Sequence, residues 1–394
     1  MTLSTRSLVL NHVWNNPGAH RREIAAHYSL HPNLVSDAVK ALIKERWVIE
    51  GESKKSLGGR APIALYLDAG RRAAFCVSYS SSSMTCGLVN AAGEILRSKT
   101  IAHDRRLPGD VADLAGRQLA GLKKGYRGVI IGTAVADPGM IDQRKGEVVR
   151  SSSFPGWHNI AIASMFREKT GLDTIVTDIT HARAVAQYRI LASRRHTTDT
   201  MLYVDYGAGI IGFAFLTPEG IWRGEGFAGE VGHVVLDPEG QLCRCGARGC
   251  LESIAGSRAL EANAASLLKK GVHSVLSGKD HPGALEIFRA AKGGDRFART
   301  VVRGTLADIG RCTAILVAML HPRLLVVGAE SEDAIVLVSS EIGSAIQSRL
   351  PHEIVSTVKI IQGRPTNSLG LIGAGFMLFE RVIRFEGKTS QSKG

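Results

Sequence analysis

Three of the chain's six cysteines stand at Cys243, Cys245 and Cys250, ten residues after His233, and this cluster constrains a 394-residue chain more tightly than any other feature. Three thiolates and one imidazole make a closed tetrahedral set for zinc, and Gly246 and Gly249 let the backbone turn tightly around an ion. No spare ligand stands nearby, so the Zn2+ expected on His233, Cys243, Cys245 and Cys250 is structural and fixes the loop that follows Glu230. The same cysteines would also suit packed thiols, or a redox pair with a bystander.

The length predicts roughly two or three folding units. Apolar residues make up 44% and charged residues 22%, a globular balance, and no window approaches the ~18 uninterrupted apolar residues of a membrane span. The first residues break at Asn15-Asn16-Pro17-Gly18 without an export signal, so a cytoplasmic protein with no membrane partner is expected. A net charge of +13 favours a polyanionic partner.

From Leu8 to about Trp47 the apolar residues fall into three short amphipathic helices. The last carries Leu34, Val35, Ala38, Val39, Leu42 and Ile43 at helical spacing. Trp47 to Glu50 and Ala64 to Leu67 read as strands, with the basic, glycine-containing loop Lys54 to Arg60 between them. Three helices, two strands and a basic loop predict a winged helix-turn-helix over residues 1–70, whose partner is double-stranded operator DNA. Asn33, Ser36 and Lys40 open the helix expected in the major groove, with Asn33 either capping it or meeting a phosphate. Arg21 and Arg22 face the flanking backbone, and Lys54, Lys55 and Arg60 lie on the wing. Each of these residues could equally be an ordinary solvated polar group.

After Arg72 strands and helices alternate, and the two halves echo each other. Val77-Ser78-Tyr79 precedes Gly93 by the same fourteen residues that separate Val204-Asp205-Tyr206 from Gly220. A duplicated α/β unit predicts two lobes and a cleft over residues 71–386, while residues 387–394 read as a frayed polar tail.

Glu230-Val231-Gly232-His233, followed by Cys243-Arg244-Cys245-Gly246-Ala247-Arg248-Gly249-Cys250-Leu251-Glu252, resembles the signature of the ROK family of repressors and sugar kinases. The resemblance extends over nearly the whole chain. It implies α/β architecture: a winged helix-turn-helix followed by a two-lobed actin/hexokinase-like (ribonuclease H-like) sugar-kinase fold. By the same resemblance Glu230, His233 and Glu252 contact sugar hydroxyls, His233 serving zinc and sugar together. Asp178 matches the kinases' general base, and the Phe154 to Asn159 stretch, with Asn159, lines the sugar pocket. On their own terms Glu230 and Glu252 also fit solvated acids, and Asp178 fits a cap for the helix starting near Thr180.

Phosphoryl transfer needs backbone amides in glycine turns to cradle the triphosphate. Where the family's kinases carry Asp-x-Gly-Gly-Thr, this chain has Val77-Ser78-Tyr79-Ser80-Ser81-Ser82-Ser83-Met84-Thr85, and its second loop reads Gly207-Ala208-Gly209. The expected protein is therefore not an enzyme. It is a sugar-responsive transcriptional regulator, a repressor of carbohydrate genes, working as a homodimer or dimer of dimers. The alternatives are an ATP-dependent sugar kinase with an accessory DNA-binding domain, and an interaction protein whose sugar site is dead.

Overall fold

The protein is described here by a computed structural model covering residues 3–53, 62–195, 199–207 and 209–385. The wing cations Lys54, Lys55 and Arg60, the middle residue of the Gly207-Ala208-Gly209 loop and the tail at 387–394 lie outside the described residues.

Three helices come first, α1 (Thr5–Asn15), α2 (Arg21–His27) and α3 (Pro32–Lys44), followed by the strands β1 (Val48–Ser53) and β2 (Ile63–Leu67), which pair antiparallel. Val9, Leu10, Val13, Ile24, Val35, Val39, Leu42, Val48 and Leu65 form their shared core. Histidines cap two of the helices. His20 Nδ1 accepts the Glu23 amide at 3.2 Å while the Glu23 carboxylate accepts the His20 amide, a reciprocal capping box. His31 Nδ1 accepts the Asn33 amide at 3.3 Å, with Pro32 in the first turn of α3. Asn33, expected as a possible cap, is instead inside the helix and exposed, because the imidazole two residues earlier already takes the free amide.

Two five-stranded sheets follow, drawn on one plan. The first runs β10-β6-β3-β4-β5, from β3 (Arg72–Tyr79), β4 (Ser83–Asn90), β5 (Ile95–Ala102), β6 (Val129–Asp137) and β10 (Thr174–Asp178). Helices α4 (Pro108–Lys123) and α5 (Ile162–Thr170) lie among these strands in the chain, as does a small sheet of β7 (Met140–Asp142), β8 (Glu147–Arg150) and β9 (His158–Ile160). Helix α6 (Ile179–Arg195) leads to the second sheet, ordered β13-β12-β11-β14-β15. Its strands are β11 (Met201–Gly207), β12 (Ile210–Thr217), β13 (Gly220–Trp222), β14 (Leu324–Ala329) and β15 (Lys359–Gln362). In each sheet three strands meander antiparallel and two more add in parallel. The repeat expected from the sequence is thus a repeat of topology.

The second lobe also carries α7 (Leu251–Ala255), α8 (Ser257–Leu268), α9 (Ala284–Lys292), α10 (Arg296–Leu320), α11 (Glu332–Arg349) and α12 (His352–Val355). The chain closes with α13 (Leu369–Phe385). Two helices lace the lobes together. α6 leaves the first sheet and packs on β12 of the second, while α13 returns to β3 and β6 of the first, and the two cross each other. At the crossing a Cβ on Gly373 would strike the carbonyl oxygen of Ala182, so only glycine permits the approach.

The N-terminal helices dock on this crossing. Trp14 of α1 is buried and donates its indole N–H to the Ala91 carbonyl at 2.8 Å. The guanidinium of Arg189, on α6, lies 3.5 Å from the Trp14 ring centroid and also donates to Asn15 Oδ1 at 3.3 Å. Among the described residues no helix is long and apolar enough to cross a membrane.

Candidate functional site

Parallel strands that diverge from a sheet leave a crevice at their carboxyl ends, where ligands bind in open α/β sheets. Asp178 ends β10 and Asp137 ends β6, and the two stand directly opposite in the parallel register. Asp178 Oδ1 accepts the His181 amide at 3.0 Å, so the aspartate caps α6 and also lines the crevice. Across the crevice Gly229, with φ +108°, lies so close to the Phe213 carbonyl that a Cβ would collide with it. It delivers the short 3-10 turn Glu230–His233 against β12. Glu252, on the first turn of α7, accepts the Ile211 amide at 3.3 Å.

A cleft of about 620 Å³ results, lined by Asp178, Glu230, His233 and Glu252 together with His181 and Arg150. Burial raises the carboxyl pKa of Asp178 and of Glu230, each reinforced by neighbouring acids, and pushes Glu252 up to about 7. Burial lowers His181 to about 4, so at neutral pH its ring is uncharged; Nε2 meets the Ala228 carbonyl at 3.1 Å and Nδ1 faces the Gln143 side chain. His181 and Arg150 escaped the sequence reading. The spacing Asp178 to His181, one turn of helix, was a usable signal for the first; nothing local marked the second.

Asn159 does not line the cleft. It sits exposed on β9 with φ +52°, because Phe154 and Trp157 of the same segment turn inward and stack at 4.4 Å beside Tyr79, carrying the strand that follows to the outside.

At the cleft's rim the nitrogen and sulfur donors of His233, Cys243, Cys245 and Cys250 all lie within 4.8 Å of one another. The His233 Nδ1 to Cys243 Sγ distance is 3.7 Å and the Cys245 Sγ to Cys250 Sγ distance 3.6 Å. Both are close to the roughly 3.5–3.8 Å edges of a tetrahedron with zinc-like bond lengths. Gly246 and Gly249 have φ of +97° and +64°, the tight turns the spacing anticipated. With Nδ1 toward the thiols, Nε2 points to Glu230, 3.9 Å away. The donor set fits a metal ion.

The turn that would hold phosphate in the first lobe is closed on itself. Ser80 Oγ accepts the amides of Ser82 and Ser83 at 3.2 and 3.1 Å, and the Ser80 amide goes to the Ser83 carbonyl at 2.8 Å. Tyr79 is buried beneath it, its hydroxyl donating to Asp137. In the second lobe the Gly209 amide is taken by Ser257 Oγ at 2.9 Å.

Five of the residues expected at DNA lie among the described residues. Arg21 is paired with Glu50 at 2.7 Å, Lys40 with Asp37 at 3.3 Å, Ser36 is half-buried, and Arg22 and Asn33 are exposed.

A duplicated two-lobed fold with a polar crevice between its lobes defines the sugar-kinase-like class. Within that class the chain belongs to the ROK family, whose model matches residues 75–381. It is 25% identical to a glucokinase of Thermotoga maritima over 78% of this chain and 97% of that one. It is 27% identical to a xylose repressor of Caldicellulosiruptor bescii, over 82% of each. Among solved structures, a ROK family transcriptional regulator, described as a homolog of the E. coli MLC protein, superimposes with a TM-score of 0.81 at 21% identity, covering 96% of both chains; the whole fold, N-terminal helices included, is shared.

Asp137 generates a pH prediction. Burial pushes its carboxyl up to about 6 against the two hydrogen bonds it accepts, from Tyr79 and from the Gly139 amide at 2.6 Å. The folded pKa lies above the ordinary carboxylate value, so this group's contribution to stability is fully present below about pH 4 and is lost as pH rises through about 6. The shift corresponds to on the order of 3 kcal/mol. Asp137→Asn is therefore expected to flatten the pH dependence of unfolding free energy between pH 4 and 7 in urea titrations; a profile identical to the parent's would show that this carboxyl carries no such penalty.

Proposed function

We propose that the protein is a sugar-responsive transcriptional regulator, a repressor that binds operator DNA through residues 1–70 and a sugar in the cleft of residues 71–386. One observation carries the reading: a polar cleft suited to a polyol, lined by Asp178, Glu230, His233 and Glu252, sits in a fold whose phosphate turns have the Ser82, Ser83 and Gly209 amides already bonded. Carboxylates accept from paired hydroxyls, and a histidine oriented by a metal offers its second nitrogen in a fixed direction. Asp178 can bind a sugar hydroxyl, but among the described residues the amides of Ser80, Ser82, Ser83 and Gly209 are already engaged and offer a triphosphate no open backbone cradle, so in this reading the cleft binds without turning over. The likeness to a xylose repressor along most of its length supports this, and the likeness to a glucokinase sets the rival reading. In thermal unfolding, a monosaccharide is expected to raise the melting temperature while ATP with magnesium leaves it unchanged. A clear shift with ATP, followed by phosphorylation of any hexose, would establish the kinase instead.

The metal held by His233, Cys243, Cys245 and Cys250 is zinc in this reading, and structural, since three thiolates and an imidazole complete its shell. Elemental analysis is expected to find about one zinc per chain, with Cys245→Ser losing both the metal and sugar-induced stabilisation; a full-length protein that binds sugar equally well without zinc would contradict this.

α6 is the route from sugar to DNA. Asp178, which caps it, and His181 of its first turn line the cleft and, roughly 16 Å from Asp178 along its axis, Arg189 clamps Trp14 and Asn15 of α1. Burial lowers Arg189 only to about 10, so the clamp stays cationic at neutral pH. A sugar that favours a different lobe closure tilts α6 and with it the helices that read DNA. Such coupling is typically worth ~1 to 3 kcal/mol. Arg189→Met is expected to leave sugar affinity intact but shrink the sugar's effect on DNA affinity by about fivefold or more, measured by fluorescence anisotropy on duplexes selected from a random pool. An undiminished effect would exclude this route.

A further inference from the structure

Beside the sugar cleft lies a second cavity, of about 450 Å³, lined by Gly209, Gln241, Arg244, Glu252, Ser253 and Arg258. Glu252 lines both cavities, so they adjoin at one side chain. Arg244 donates to the Gly209 carbonyl at 3.4 Å. A Cβ built on Gly209 would come within 2.7 Å of the Arg244 guanidinium and 3.7 Å of Arg258 Nε, so both cations converge on this glycine. A third, Arg150, enters the first cavity and donates to the Cys245 carbonyl.

Among the described residues none of the three arginines lies within ion-pair distance of a carboxylate, whereas Arg183 nearby is paired with Asp205 at 2.9 Å. Glu252, the acid that shares their cavity, is the one carboxylate that both Arg244 and Arg258 face, and it also accepts the Ile211 amide. Two guanidinium groups facing one carboxylate leave a net positive charge on a partly enclosed cavity, which favours an anion bound by charge-assisted, forked hydrogen bonds. The N-terminus of α8, which carries Arg258 and begins at Ser257, adds its dipole in the same sense.

We propose that Arg244 and Arg258 form an anion subsite joined to the sugar site, and that the effector is an acidic sugar. Its ring lies among Asp178, Glu230, His233 and Glu252, and its phosphate or carboxylate lies between the two guanidinium groups. The closed backbone at Gly209, whose amide is held by Ser257, means that side-chain cations rather than amides receive the charge. This rests on the sugar-site reading given above. It narrows the substrate class from any monosaccharide to one carrying a negative charge.

Titration calorimetry on the full-length, zinc-loaded protein tests it with matched sets: glucose, glucose 6-phosphate and glucuronate; the corresponding mannose and galactose sets; and N-acetylglucosamine with its 6-phosphate. An acidic member is expected to bind about tenfold or more tightly than its neutral parent, with the affinity gap narrowing as salt rises. Whether phosphate or carboxylate wins identifies the anion. Arg258→Gln is expected to erase the gap and Arg258→Lys to restore part of it, with zinc content and melting temperature confirming that each variant is folded. Equal or tighter binding of the neutral parents, or a gap untouched by Arg258→Gln, overturns the anion subsite while leaving the sugar site standing. Failure of every neutral and acidic sugar to bind overturns both.

Discussion

The close crossing of α6 and α13 is the contact on which the rest of the molecule depends. α6 belongs by sequence to the first lobe but packs on the second sheet, and α13 comes last in the chain but covers the first. Neither lobe therefore has a complete core without a helix contributed from across the cleft. Gly373 allows the two axes to approach where any side chain would meet the Ala182 carbonyl. Because packed interiors do not deform continuously, relative motion of the lobes must appear as a shift of these two helices. The N-terminal helices are docked on the same pair, with Arg189 over Trp14 from α6 and the Arg384 carbonyl of α13 accepting from Ser7.

A turn without glycines need not leave an open space. In the first lobe the serines that stand where glycines would allow close approach bond their own turn, so that Ser80 alone occupies two amides. Tyr79 then fills the region beneath and satisfies Asp137. The remodelled turn is a closed hydrogen-bonded unit. An anion approaching it would have to displace internal bonds and would gain little net energy for each one replaced.

Much of this was legible in the sequence because it depends on local pattern. The spacing of Val35, Val39 and Leu42 places one face of α3 inward whatever lies opposite, and the echo between Val77 to Gly93 and Val204 to Gly220 reflects two copies of one strand plan. The metal donors were legible for a similar reason: three of the four lie within one loop. What escaped was set by partners far away in the chain. The clamp joins residues 14 and 189, and the Arg150 to Cys245 contact joins the two lobes. Asn159 was misplaced because its neighbours Phe154 and Trp157 take the inward positions. The caps at His20 and His31 were missed for a chemical reason: an imidazole nitrogen with a free lone pair accepts an amide as a short polar side chain does, but histidine is not among the residue types favoured there.

Asp178 shows why two competing readings of one residue need not exclude each other. The carboxylate that caps a helix has a lone pair directed at the first-turn amides and further acceptor capacity for a ligand. Burial raises its pKa, and the amides of Thr180 and His181 oppose that shift by holding the charged form. A ligand hydroxyl donated to this oxygen would therefore alter the polarisation of the bonds that start α6. In the proposed reading the effector contact and the cap of the helix that carries Arg189 share one group, so binding and transmission would begin at the same atoms.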